Sequence, residues 1–129
     1  LCSNVLAQQV VQTSLGGTQS VDELLLPGGR IYEQREFIYK AMNEIPGISA
    51  VKPKAAFYIF PKIDTAMYNI HDDEQFVLDF LKQEKVMLVH GRGFNWKDPD
   101  HFRIVYMPRV DELAQIQEKM TRFLSKYRQ

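Results

Sequence analysis

The segment Phe102-Arg103-Ile104-Val105-Tyr106-Met107 decides the fold class, because it and the strand candidate before it, at 86–89, have no helix between them. The segment is rich in aromatic and β-branched residues, which predicts a strand. A second adjacent pair of strands is predicted at 48–51 and 55–60. Neighbouring strands of this kind cannot form an uninterrupted series of parallel strand–helix–strand units.

Helical periodicity surrounds these strands. In the two longest helical segments, 30–45 and 110–127, apolar residues recur every three or four positions, which predicts one buried stripe in each. Five helices are predicted. The first is capped by Asn4 and stopped at Gly16-Gly17, and the second covers 21–26 with Ser20 and Glu23 as a capping box. The third covers 30–45, the fourth is capped by Asp72 or Asp73, and the fifth covers 110–127. The sequence therefore predicts an α+β domain, with one mixed or antiparallel sheet and helices packed on one side.

Composition narrows the classes of function. The chain has 129 residues, with 16 basic and 16 acidic side chains and 45% hydrophobic residues, which suits one soluble domain. A net charge of zero argues against a nucleic-acid partner, whose phosphates attract a basic excess. No apolar run is long enough to predict a membrane span, and the single cysteine, Cys2, allows no internal disulfide. We therefore expect a cytoplasmic protein with no membrane partner.

Arg103 is the residue that most suggests a binding site. Strand alternation places it with Val105 and Met107 on one face, opposite Phe102 and Ile104. An arginine on an apolar face needs a partner, and its planar guanidinium suits a carboxylate held by two parallel hydrogen bonds. Two structural alternatives remain open from the sequence: the side chain extends to solvent, or it pairs with a structural glutamate.

Other polar motifs predict structural roles. The turn from His90 through Phe94 contains two glycines, but it lacks the pattern of a phosphate-binding loop. The histidines at 71, 90 and 101 are scattered, and the aspartates after His71 are better explained as helix caps, so no metal site is predicted. The aromatic run at 57–60 is predicted to lie in the core rather than to stack against single-stranded nucleic acid.

Several segments of the chain combine in a specific order and spacing. They are Ser3-Asn4-Val5, Leu26-Pro27-Gly28-Gly29-Arg30-Ile31-Tyr32-Glu33-Gln34-Arg35, Val51-Lys52-Pro53-Lys54, Ala56-Phe57-Tyr58-Ile59-Phe60-Pro61-Lys62-Ile63-Asp64, Asn69-Ile70-His71-Asp72-Asp73, Leu78-Asp79-Phe80-Leu81 and Asp100-His101-Phe102-Arg103-Ile104-Val105. With these segments the chain resembles the C-terminal region of the class I/II pyridoxal-phosphate aminotransferases, in the bacterial alanine-aminotransferase-like branch. The resemblance extends from the first residue to the last.

The resemblance implies a division and a function. Residues 1–26 would form the helical end of a large cofactor-binding domain, and 27–129 the C-terminal small domain. The parent would be a homodimer that moves an amino group between an amino acid and a 2-oxo acid, with alanine and 2-oxoglutarate the expected pair. Arg103 would bind the substrate α-carboxylate.

The resemblance also implies which parts of the site this chain lacks. The lysine that forms the Schiff base with pyridoxal phosphate would lie upstream of Leu1, so no catalytic or cofactor-binding residue is expected here and the fragment alone would be inactive. The roles of Ser3, Asn4 and Arg92 are not assigned by it. The alternative is a stand-alone α+β domain that binds a carboxylate ligand or regulates another protein without catalysis.

Overall fold

The structure, a computed structural model, describes residues 2–129; Leu1, with which the predicted division 1–26 begins, lies outside the described residues. In chain order the elements are α1 (Val5–Gly16), α2 (Asp22–Leu25), α3 (Arg30–Glu44), β1 (Ile48–Ser49), β2 (Tyr58–Ile59), β3 (Lys62–Ile63), α4 (Thr65–Tyr68), α5 (Asp73–Glu84), β4 (Val89–His90), a 3-10 turn (Gly91–Phe94), β5 (Phe102–Val105) and α6 (Val110–Lys126). Among the described residues, no helix is both long and apolar enough to cross a membrane.

The strands are short and pair antiparallel. β5 is the central strand of a three-stranded sheet in the order β2-β5-β4, while β1 pairs with β3 in a separate two-stranded sheet. A single bridge between Lys62 and His101 links the two sheets. The predicted α+β class is confirmed, although the strands form two small sheets rather than one.

The core lies between one face of the three-stranded sheet and the long helices. Phe76 of α5 contacts Phe102 of β5 at 5.6 Å between ring centroids, and it contacts Phe123 of α6 at 6.0 Å. Phe80 also packs edge-on against Phe123. Burial of this aromatic and aliphatic surface is the main term that favours folding.

The two long helices were predicted correctly. The stripe of α3 is buried at Ile31, Ile38, Ala41, Met42 and Ile45, and that of α6 at Leu113, Met120, Phe123 and Leu124. Gln34 was not expected in the core, yet it is fully buried; its side-chain amide donates to the Met107 carbonyl at 3.0 Å. The side chain therefore joins α3 to the end of the central strand.

The capping box predicted for the second helix is wrong. Val21, rather than Ser20, precedes the first residue of α2, and no side chain caps this helix. Val21 already has right-handed helical backbone angles, φ −64° and ψ −24°. The chain therefore enters the helix from a turn, in which the Asp22 amide donates to the Gln19 carbonyl at 3.0 Å, and needs no side-chain cap.

The strand predicted over 55–60 is shorter than expected. Only Tyr58–Ile59 pairs with β5, because Ala56 has φ +62° and turns the backbone out of the strand conformation. Phe57 and Tyr58 are each 45% exposed, so the prediction that this aromatic run lies in the core is wrong for both residues. Phe60, the third aromatic residue of the run, is partly buried against Trp96 and His101, and Ile59 beside it is 1% exposed.

The loop predicted between Asp64 and His71 contains a helix. The Asp64 carboxylate accepts hydrogen bonds from the amides of Ala66 and Met67, at 3.0 and 2.9 Å, and so caps α4. Gly47 abuts this helix with φ +73°, and a Cβ there would lie 2.7 Å from the Tyr68 ring. A helix this short has too little periodicity to stand out in the sequence.

Two methionines test how far burial determines stability. Met120 is fully buried, whereas Met87 is 78% exposed. We expect Met120→Ala to lower the free energy of unfolding of this chain by about 2–5 kcal/mol, because it leaves a cavity in the core. Met87→Ala, the same change at an exposed position, should stay within about 0.5 kcal/mol. Urea denaturation of both variants measures the difference, and equal losses would contradict the described core.

Candidate functional site

Arg103 lies on the open face of the three-stranded sheet. Phe102 and Ile104, its neighbours in β5, point into the core, while Val105 is 45% exposed on the side of Arg103. The alternation predicted from the sequence is therefore confirmed. Arg103 is half-buried, because aromatic side chains from two other segments cover it.

Two aromatic rings hold the guanidinium of Arg103. Its Cζ lies 4.2 Å from the centroid of the Phe94 ring and 5.0 Å from that of Tyr58. Tyr58 belongs to the neighbouring strand β2, and Phe94 ends the 3-10 turn that follows β4. Cation–π contacts of this kind stabilise the guanidinium and restrict its plane without using its N–H donors.

The guanidinium of Arg103 has no acidic partner in the described part of the chain. None of the ion pairs among residues 2–129 includes Arg103, and its Nε is buried without a hydrogen-bond partner. The alternative in which Arg103 pairs with a structural glutamate is therefore wrong. Because no acidic side chain of the described residues pairs with this guanidinium, a carboxylate that reaches the open face of the sheet would be a favourable partner.

Arg92 has a structural position that its sequence context did not reveal. Its guanidinium Nε contacts the Asp73 carboxylate and its Nη2 contacts that of Asp72. The Arg92 backbone amide also donates to Asp73 Oδ2 at 2.8 Å. The 3-10 turn is thereby attached to the first residues of α5.

Gly91 brings the same turn close to β5. Its amide donates to the His101 carbonyl at 2.8 Å, and a Cβ at this position would lie 2.7 Å from that oxygen. Only a glycine allows so close an approach of the two backbones. The turn is therefore fixed on two sides, by Gly91 against β5 and by Arg92 against α5.

Asp72 and Asp73 share the start of α5 but differ in function. Asp72 is the helix cap and accepts from the Glu74 amide at 3.0 Å. Asp73 is 1% exposed. Burial raises the pKa of the Asp73 carboxyl, but hydrogen bonds from the Arg92 backbone and guanidinium outweigh burial, so the pKa is lowered below its ordinary value of 3.8. Asp73 is thus a buried carboxylate whose main partner is Arg92, with His90 Nδ1 also 3.9 Å from its Oδ2.

The histidines do not converge. His101 lies with Trp96 at the Asp100 carboxylate, with His101 Nδ1 at 2.6 Å and the Trp96 indole N–H donating at 2.9 Å. Burial raises the pKa of Asp100, but the contacts from His101, Trp96 and Lys62 lower it further than burial raises it. In the portion of the chain that the structure covers, no group of three or more metal-ligating side chains occurs.

Proteins of known name match the chain over its whole length. A protein of Escherichia coli (strain K12) named glutamate-pyruvate aminotransferase is 58% identical over 129 residues, which is 100% of this chain and 32% of that relative. An alanine aminotransferase of Mycobacterium tuberculosis (strain ATCC 25618 / H37Rv) is 51% identical over 100% of this chain and 30% of that relative. The crystal structure of an aminotransferase from Escherichia coli matches with a TM-score of 0.91 and 58% identity, and covers 99% of this chain and 32% of that one.

The chain is similar in sequence and fold to a part of these aminotransferases. It spans about a third of the length of the curated aminotransferases that it matches. No protein-family model matches the chain. The similarity to aminotransferases therefore rests on relatives that match the whole of this chain and on the shared fold.

Ser3 and Asn4 have local structural contacts. The Asn4 side chain accepts from the Ala7 amide at 3.2 Å and so caps α1, as predicted. The Ser3 carbonyl accepts from the Gln8 side chain at 3.0 Å. Both residues are exposed. The sequence did not predict that Tyr58 and Phe94 cover Arg103. It also did not predict that Arg92 pairs with Asp73, because these residues come together only in the folded chain.

The lowered pKa of Asp73 predicts an acid-dependent loss of stability. A carboxylate whose pKa is lowered by folding contributes stability that is complete above its unfolded pKa and is lost as the pH falls through the lower folded value. Asp73→Asn removes this contribution. The difference in Tm between wild type and Asp73→Asn should therefore be largest near about pH 5 and shrink towards about pH 2.

Thermal unfolding followed by circular dichroism at several pH values measures this difference. The exposed Asp98 gives a matched control, and Asp98→Asn should follow the wild type at every pH. A Tm difference for Asp73→Asn that stays constant down to about pH 2 would contradict the assignment of a charged, buried Asp73.

Proposed function

We propose that this chain is the C-terminal part of an enzyme that transfers an amino group between an amino acid and a 2-oxo acid, with alanine and 2-oxoglutarate as the pair. The proposal extends to this chain what the names of its relatives say of them. The observation that carries it is the guanidinium of Arg103, which lies on an open sheet face without an acidic partner among residues 2–129. We assign Arg103 to the substrate α-carboxylate.

The chemistry of Arg103 fits this role. A guanidinium presents two parallel N–H donors that match the two oxygens of a carboxylate, so one side chain fixes both the position and the plane of the substrate end. Phe94 and Tyr58 restrict the guanidinium before the substrate arrives, which reduces the entropy lost on binding. Arg103 would orient the substrate; it would take part in no proton transfer.

The cofactor is proposed for the parent protein. Pyridoxal phosphate, when bound, withdraws electrons from the substrate Cα and so weakens its bonds. Within residues 2–129 every lysine except Lys119 is exposed, and Lys119 donates to the Glu84 carbonyl at 3.0 Å. We assign no step of the cofactor chemistry to these lysines.

We also propose that 1–26 forms the end of a larger domain and 27–129 the small domain of a cytoplasmic homodimer. Among residues 2–129, all buried hydrophobic residues lie between Ile31 and Tyr127, and no residue of α1 is buried. The exposed apolar side chains of α1 include Leu6 at 77% and Leu15 at 73%. Such a helix gains stability from packing against further protein surface.

The Arg103 assignment predicts a large kinetic effect. In the full-length protein with added pyridoxal phosphate, Arg103→Ala should lower kcat/KM for alanine and 2-oxoglutarate by a factor that corresponds to about 2–4 kcal/mol of transition-state stabilisation, because one charge-assisted clamp is lost. Pyruvate formation measures the rate, and the cofactor absorption spectrum shows whether the site is otherwise intact.

Arg128 offers the matched control. It too lies over a tyrosine ring, with Cζ 5.3 Å from the centroid of Tyr68, and it also lacks an ion pair among the described residues. Arg128→Ala should therefore keep the wild-type rate. If the wild type is active and Arg103→Ala is equally active, the proposed enzyme class stands and the assignment of Arg103 to the substrate carboxylate is wrong. No transamination with any common amino acid would instead favour a binding or regulatory domain.

The proposed domain arrangement predicts protection of α1 in the parent. We expect the backbone amides of 5–16 to exchange hydrogen slowly in the full-length protein and quickly in this chain alone, because only the parent covers the apolar side chains of the helix. Mass spectrometry of peptides measures the exchange. The buried helix α5 is the internal control and should exchange at similar rates in both proteins. Equally fast exchange of α1 in the parent would contradict the proposed packing.

A further inference from the structure

Arg92 and Phe94 occupy the same four-residue 3-10 turn and contact different parts of the molecule. Arg92 binds Asp73 at the start of α5, and Phe94 lies over the guanidinium of Arg103 at 4.2 Å. Since the turn is a single short unit, the position of one side chain constrains that of the other. The contacts thus form a continuous connection from Asp73 through Arg92 and Phe94 to Arg103.

We propose that the ion pair between Asp73 and Arg92 positions the Phe94 ring, and that this ring in turn fixes the guanidinium of Arg103 for binding a carboxylate. Asp73 and Arg92 are thus positioning residues that do not touch the substrate. The inference rests on the proposed function of Arg103, and it adds the residues that keep Arg103 in place.

The buried state of Asp73 gives the connection its rigidity. A carboxylate that is 1% exposed has lost most of its water, and Arg92 replaces that water with a backbone N–H at 2.8 Å and with its guanidinium. Releasing the turn would leave this buried charge with only the His90 ring beside it, whose Nδ1 lies 3.9 Å from Asp73 Oδ2, and the loss of Arg92 would therefore be unfavourable. The turn therefore has one favoured position, in which Phe94 faces Arg103.

The aromatic surroundings explain why Phe94 is the contact that matters. Tyr58, the other ring over Arg103, is held by strand pairing in β2 and does not depend on the turn. Phe94 is 45% exposed and makes an edge contact with Phe60 at 6.2 Å. With so little packing of its own, Phe94 relies on the fixed backbone of the turn for its position.

The first test is kinetic, in the full-length protein with its cofactor. Asp73→Asn keeps the size of the side chain and removes its charge, so the turn is loosened while Arg103 is unchanged. We expect KM for both alanine and 2-oxoglutarate to rise by about 10- to 100-fold with a smaller change in kcat, as follows from a small misplacement of a substrate-binding group. An unchanged KM would overturn the inference.

Glu84→Gln is the matched control. Glu84 is a mostly buried acid at the other end of α5, about 16 Å along the helix, and it pairs with Arg122. Its loss should lower Tm as Asp73→Asn does, yet leave both KM values at the wild-type level. If Glu84→Gln raised KM equally, the effect of Asp73→Asn would be one of general stability, and the proposed positioning would be wrong.

A double-mutant cycle tests the path through Phe94. Phe94→Ala alone should raise KM at least as much as Asp73→Asn, and the combined variant should be no worse than Phe94→Ala. Effects that multiply would show that Asp73 acts independently of the ring. Should Asp73→Asn not fold, Asp73→Asn/Arg92→Gln removes the whole ion pair and should raise KM by roughly the same 10- to 100-fold, whereas an unchanged KM would overturn the inference.

A crystal structure of full-length Asp73→Asn separates this inference from the proposed function. We expect the Phe94 ring to move beyond about 6 Å from the Arg103 guanidinium, where cation–π attraction is lost, while Glu84→Gln keeps the wild-type contact. A ring that stays in place would overturn the inference whatever the enzymatic activity. If the Phe94 ring moves in Asp73→Asn but the wild type has no transaminase activity, the proposed function is wrong and the positioning of Arg103 by Phe94 still stands.

Discussion

The burial of one face of β5 is the constraint on which the rest of the structure depends. Phe102 and Ile104 pack towards α5 and α6, so strand alternation forces Arg103 to the opposite, open face. The same strand is paired on both sides, by β2 and by β4. These two neighbours bring Tyr58 directly, and Phe94 through the following turn, to the guanidinium of Arg103. Core packing and the candidate site are therefore consequences of a single strand register.

The sequence predicted those features that repeat with a regular period. Helices α3 and α6 and the two faces of β5 were predicted because periods of 3.6 and two residues are legible in a single sequence. The ends of β2 and the helix α4 were not predictable in this way, since they depend on a positive φ at Ala56 and on a local cap at Asp64. The predicted boundary between 1–26 and 27–129 is still a prediction, which the position of the described buried residues, from Ile31 onward, favours.

The candidate site, like the fold, has one feature that the local sequence reveals and others that depend on contacts between distant residues. Arg103 could be selected from the sequence because an arginine inside an apolar strand is unusual, and the resemblance to aminotransferases gave it a role that is still a proposal. Its surroundings could not be selected, because Phe94 and Asp73 are separated in sequence and meet only through Arg92. Contacts between distant residues leave no periodic pattern.

The strand order β2-β5-β4 also affects how the chain acquires its structure during synthesis. A ribosome releases the N-terminal residues first, so both edge strands emerge before the central strand that joins them. Until β5 appears, β2 is an unpaired edge that carries exposed aromatic side chains, a combination that favours aggregation. The sheet thus cannot assemble progressively from one end, and the nascent chain depends on its last strand to complete it.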